Sequence, residues 1–137
     1  PDPWIAAAEP GADTWGGYAD ERAEIANFIA DNRIDNLVMV SGDAHMVAID
    51  DGTNTNYSAG GGAGFPLLHV AALDRRGNYK GGPYSEGAIP GAGHFGLIDV
   101  HDDGTTISVD LRAMNYQGEE LMSLTWTPPP APDGPGP

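Results

Sequence analysis

Cysteine is absent from the 137 residues, which excludes disulfides, thiolate zinc sites and cysteine nucleophiles, and leaves the redox compartment open. Any metal must therefore be held by histidine and carboxylate. Basic residues are scarce: six Lys and Arg stand against 20 Asp and Glu, for a formal charge of -14 and a pI near 4.2. Such a field repels nucleic acid and anionic membrane surfaces and favours cations. No apolar run reaches the roughly 18 residues of a membrane span. The opening residues Pro1-Asp2-Pro3-Trp4 lack the basic and apolar regions of a leader peptide, so the chain is expected to carry no address of its own.

The length suits one domain with a modest core. Glycine and proline are plentiful, 20 and 12, but concentrated in a few stretches, so the remainder can fold. Residues 1–17 read as a loop pinned by Trp4 and Trp15. A helix is expected over 18–32, where Ile25, Phe28 and Ile29 fall at i, i+3 and i+4 and Asp20, Glu21 and Glu24 lie near the favourable N-terminal end. The apolar run 37–40 (Leu37, Val38, Met39, Val40) predicts a strand buried on both faces. A short return segment over 46–49 ends in the turn Asp50-Asp51-Gly52. After a glycine-rich loop comes a strand over 65–73, then a long loop over 74–93 holding the only lysine, Lys80. The strands 94–101 and 105–114 form a hairpin about Asp102-Asp103-Gly104, with the first buried on both faces and the second on one. A strand over 121–126 completes an antiparallel meander. Residues 128–137, six of them proline, predict an extended tail.

The strongest chemical signal is Val40-Ser41-Gly42-Asp43-Ala44-His45, directly after the 37–40 strand. Open α/β sheets place their ligands at such strand ends. In an extended segment Asp43 and His45, one residue apart, project to the same side and can hold a cation together; Gly42 is expected to give the tight exit. Trp15-Gly16-Gly17-Tyr18-Ala19-Asp20-Glu21-Arg22, then Phe28-Ile29-Ala30-Asp31-Asn32-Arg33, then Asn36 through His45 follow in order. This succession resembles the C-terminal half of PhoD-like alkaline phosphatases, of the calcineurin-like metallophosphoesterase superfamily. The resemblance is strongest over 13–49 and weaker over 65–126.

The resemblance implies an α/β fold: a β-rich fragment of a metallophosphoesterase-type αββα sandwich, with one main helix, a buried strand and a C-terminal antiparallel meander. Residues 1–127 would be the C-terminal part of the phosphatase domain, followed by the tail. It gives Asp43 and His45 metal-ligand roles in a dinuclear or larger centre of divalent or trivalent ions, with iron, calcium, manganese and zinc undistinguished. It implies a phosphate ester substrate, no nucleic-acid or membrane partner, and an extracytoplasmic or secreted location. The earlier motifs of that family have no counterpart here, so the missing N-terminal half of the domain is an expected partner and the isolated chain is expected to be inactive. A second reading, of a different class, is a self-contained acidic β-rich binding module in which the Gly-Asp-x-His pattern is incidental.

The other histidines divide by surroundings. His69, in Leu67-Leu68-His69-Val70, reads as a hydrogen-bonded core residue. His94, at a strand start beside a glycine-rich loop, is a possible site-facing residue, and His101, before a turn, reads as solvated. Arg75, Arg76 and Lys80 are the single basic cluster, suited to a substrate phosphate or simply to a solvated loop. Trp4, Trp15, Tyr18 and Trp126 read as anchoring aromatics.

Overall fold

A computed structural model describes residues 2–62 and 64–130. One α-helix, α1 (Ala19–Asp31), follows a 3-10 turn over Trp15–Tyr18. Seven strands come next: β1 (Met39–Ser41), β2 (Met46–Asp50), β3 (Leu67–Val70), β4 (Ala88–Pro90), β5 (His94–Asp102), β6 (Ile107–Asn115) and β7 (Glu120–Trp126). They make two sheets, a four-stranded one in the order β1-β3-β2-β4 and a three-stranded one in the order β5-β6-β7. Within the first, β1 pairs with β3 in parallel while β2 runs antiparallel to β3 and β4. The second is the expected antiparallel meander.

The side-chain alternation of the first sheet explains its two cores. Met46, Ala48 and Leu67 face one way and pack with Trp4, Ile5, Ala26, Phe65 and Tyr84, so the helix and the N-terminal segment cover that side. Ile49 and Leu68 face the other way, against Val109 and Leu111 of the second sheet. Burying an aliphatic side chain of this size is worth about 1.5–3 kcal/mol, so these four residues hold the sheets together. At Gly96 the second sheet lies close against the first: a Cβ there would stand 2.8 Å from Val70 Cγ2, which is why a strand glycine is used at this point. The result is a β-rich α/β arrangement. The outer face of the second sheet carries Asp99, Asp110 and Arg112, with Arg112 bonded to Asp99 and Thr125 to Asp110.

Several sequence expectations are corrected. The strand over 37–40 shrinks to Met39–Ser41 and lies at the sheet edge, where Val40 is 55% exposed. The strands buried on both faces are instead β2 and most of β3, whose short runs Met46–Asp50 and Leu67–Val70 lie inside the four-stranded sheet with neighbours on both edges. The strand over 65–73 is likewise shorter than expected. The first meander strand, β5, is also an edge strand, with Ile98 and Val100 exposed. On α1 the buried side chains are Arg22 and Ala26, whereas Ile25 and Phe28 are exposed, because the face that meets the core runs through Arg22, Ala26 and Ile29. The expected aromatic anchors Trp4 and Trp15 pack on each other, ring centroids 5.3 Å apart; Tyr18 is exposed. Of the expected tail, 131–137 lies outside the described residues.

Candidate metal centre

The Gly42-Asp43-Ala44-His45 segment leaves the C-terminal end of β1 as a bend, not as the extended stretch expected of it. Asp43 has φ +72°, in the left-handed region that aspartate tolerates better than most residues. The turn is thus made at Asp43 and not at Gly42, and the two side chains do not share the alternation of a strand. His69 of β3 lies beside it in register with Ser41 and is fully buried. Its Nε2 lies 2.9 Å from the Ala44 carbonyl and its Nδ1 2.8 Å from Ser41 Oγ. A carbonyl only accepts, so Nε2–H donates to Ala44 and Nδ1 accepts from the Ser41 hydroxyl. Burial lowers the His69 pKa below its usual value, in keeping with this neutral ring. The expected core histidine is found, and it sits directly behind the motif.

His45 is held from the other side by the long 74–93 loop. The Asn78 and Gly91 amides donate to its carbonyl at 2.9 and 3.2 Å, and its Nδ1 donates to the Arg76 carbonyl at 2.9 Å. With the proton fixed on Nδ1, a neutral ring keeps the Nε2 lone pair for a cation, the arrangement that metal-binding histidines use. The 74–93 loop includes β4 and closes over the strand end.

Asp43 meets partners that the sequence did not bring together. One carboxylate oxygen of each of Asp2, Asp13 and Asp43 lies within 4.8 Å of the others. Lys80 Nζ bridges two of them, 2.5 Å from Asp13 and 2.9 Å from Asp43. The hydrogen bond from Lys80 leads in holding the Asp43 carboxyl below its usual range, aided by the charge of Lys80. His45 stands outside this trio. The basic cluster is correspondingly split: Lys80 is engaged by carboxylates, and Arg76 contributes its backbone. Asp2 is brought here by an N-terminal segment that Arg22 clamps, its Nη1 donating to the Trp4 and Ala6 carbonyls at 2.9 and 2.8 Å while the guanidinium covers the Tyr57 ring. Arg22 was visible in the sequence as part of the Trp-to-Arg block; Asp2 and Asp13 carried no signal beyond their charge.

His94 is placed near the site and inside the protein. It is 6% exposed, its Nδ1 has no hydrogen-bond partner among the described residues, and its ring packs on Gly91, where a Cβ would stand 2.5 Å from Cε1. Gly91 in turn donates to His45, so one residue separates the two. His101 is exposed as expected and bonds Asp110 at 3.0 Å.

Carboxylate oxygens and an imidazole nitrogen with a fixed tautomer, set on loops at a strand end of a β-rich α/β domain, suit the hard and borderline cations used in phosphoryl chemistry. Residues 4–88 match the family model for PhoD-like phosphatases, and the chain belongs to that family. The function at family level is that of a phosphatase, a hydrolase. No curated protein and no solved structure matches the chain significantly. Among the described residues no helix is long and apolar enough to cross a membrane.

Proposed function

We propose that the chain contributes to a metal-dependent phosphoric ester hydrolase of the phosphomonoesterase or phosphodiesterase type, with Asp43 and His45 as metal ligands. The observation that carries this is the His45 ring, whose Nδ1–H donates to the Arg76 carbonyl and leaves Nε2 as a ligand nitrogen. The oxygen-rich surroundings of Asp43 suit a cation in their own right: donors 2.0–2.6 Å from an ion lie at most about 5 Å apart, and the Asp2, Asp13 and Asp43 oxygens meet that limit, with His45 outside that group. Bound there, metal ions supply Lewis acidity toward a phosphoryl oxygen and a water of lowered pKa. The residues' own part is to present anionic oxygen through Asp43 and neutral nitrogen through His45, while the 74–93 loop fixes the imidazole orientation. On this reading the two sheets are the centre of an αββα sandwich, the complete enzyme works outside the cytoplasm, and a dinuclear centre draws further ligands from a missing N-terminal half of the domain.

The test is cation binding by the purified chain, read by calorimetry with Mn²⁺, alongside hydrolysis of mono- and bis-p-nitrophenyl phosphate. The expected result is Mn²⁺ binding that His45→Ala and Asp43→Asn each weaken at least tenfold, with no hydrolysis above that of Mn²⁺ in buffer. Binding unchanged in both variants would refute the ligand assignment, and hydrolysis abolished by His45→Ala would refute the need for added ligands.

A further inference from the structure

The left-handed turn at Asp43 lies between two residues that a single buried side chain ties together. Ser41 precedes it, Ala44 follows it, and His69 takes a hydrogen bond from the first and gives one to the second. The Ala44 carbonyl also accepts from the Met46 amide at 2.8 Å, and the Ala44 amide donates to the Gly42 carbonyl at 3.0 Å. His69 itself cannot shift, because it is fully buried in β3 between the paired strands β1 and β2. We propose that His69 is a positioning residue for the metal site, its two ring nitrogens clamping the ends of the Ser41-to-Ala44 bend so that Asp43 keeps its left-handed backbone and aims its carboxylate at the cation.

This inference rests on the reading of Asp43 and His45 as ligands. Its chemistry is specific to a neutral imidazole with the proton on Nε2. The ring must accept at Nδ1 and donate at Nε2 at the same time, across two different chain segments. An apolar residue of similar size fills the core but leaves the Ser41 hydroxyl and the Ala44 carbonyl each short of one partner. A left-handed aspartate is a strained backbone position, so the bend relaxes when the clamp is lost, and the carboxylate moves with it.

Two readouts separate this from a plain core role. The first is the amide NMR spectrum of the chain. In His69→Leu the Gly42, Asp43 and His45 resonances are expected to shift or broaden well beyond those of the distant β6–β7 hairpin. Unchanged resonances for those three residues would overturn the clamp, whatever the metal result. The second is Mn²⁺ affinity measured where each variant is fully folded by circular dichroism. His69→Leu is expected to weaken binding tenfold or more, while His69→Gln, whose side-chain amide can still donate to Ala44, is expected to recover most of that loss. Equal Mn²⁺ affinity in wild type and His69→Leu would overturn the proposal. If His69→Leu does not fold, Ser41→Ala removes one half of the clamp from the β1 side and is expected to weaken binding several-fold; no change there would overturn it equally. Absence of Mn²⁺ binding by the wild-type chain, with the amide changes in place, would overturn the ligand reading on which the proposal stands.

Discussion

Replacing Lys80 by glutamine removes the one cation that the carboxylates of Asp13 and Asp43 hold among the described residues. Any metal that binds Asp43 must displace this ammonium or share the oxygens with it. Two unit charges about 4 Å apart interact by about 1 kcal/mol at the dielectric of water and about 4 kcal/mol at an effective dielectric of 20. The partners here are open to solvent, with side-chain exposures of 78% for Asp13 and 43% for Asp43, so the lower figure applies and the pair is worth little to folding. A Mn²⁺ ion must take those oxygens from Lys80, and removing the roughly 1 kcal/mol of that ion-pair competition alone raises affinity at least about fivefold. Calorimetric titration of wild type and Lys80→Gln with Mn²⁺ at low ionic strength is the assay. The gain should shrink as salt approaches 1 M, where the screening length falls to about 3 Å. Lys80→Gln binding Mn²⁺ no more tightly than wild type at low salt would refute the reasoning, and tighter binding that ignores salt would refute its electrostatic basis.

Asp50 is fully buried without a basic partner among the described residues, and its carboxylate accepts from the Gly52 and Asn54 amides, the Asn54 side chain and the Ser85 amide at 2.8–3.0 Å. Asp50→Ala leaves these donors unpaired and is expected to cost about 3 kcal/mol or more in urea unfolding, at about 1 kcal/mol per bond and more for charged acceptors; a loss under about 1 kcal/mol would contradict the assignment. The buried histidines set a pH dependence of known sign. Burial lowers the pKa values of His69 and His94 from 6.5, so the unfolded chain binds more protons, and the stability they confer is complete above pH 6.5 and falls as pH drops toward their folded values. Carboxylates such as Asp51, held below 3.8 by hydrogen bonds to Thr53, act in a separate window, with their contribution lost only as pH falls below 3.8. The melting temperature is therefore expected to fall from pH 7 to 5, and less so in His94→Leu; a flat profile in wild type would refute this.

The parts of the fold that were legible in the sequence are those whose pattern is local. The helix was readable because acidic residues at its start and apolar spacing over 25–29 act within one element, and it forms at Ala19–Asp31, although Ile25 and Phe28 of that spacing do not face the core. The β5-β6-β7 meander was readable because its turn, Asp102-Asp103-Gly104, and the alternation of Val109 and Leu111 are also local; both of these residues are buried. Strand order was not readable. Leu37 to Val40 and Met46 to Ile49 look equally apolar, yet the first ends at a sheet edge and the second runs through the interior. Only the pairing with β3 and β4 distinguishes them, and those strands lie about 20 and 40 residues further along the chain.

The site divides in the same way. Asp43 and His45 were visible because a glycine, a carboxylate and an imidazole follow an apolar run within six residues. The groups that give them their chemistry come from far away: Arg76 fixes the tautomer of His45 from 31 residues off, His69 ties Ala44 from 25, and Lys80 reaches Asp43 from 37. No periodicity encodes these meetings, since each depends on β3 lying against β1 and on the 74–93 loop folding back over the strand end. A motif of four residues is therefore enough to propose Asp43 and His45 as donors, whereas the partners they meet, their aim and the ammonium that Asp43 already holds are properties of the tertiary fold. Substitutions in β3 or in the 74–93 loop should for that reason alter metal affinity as strongly as substitutions that change a donor.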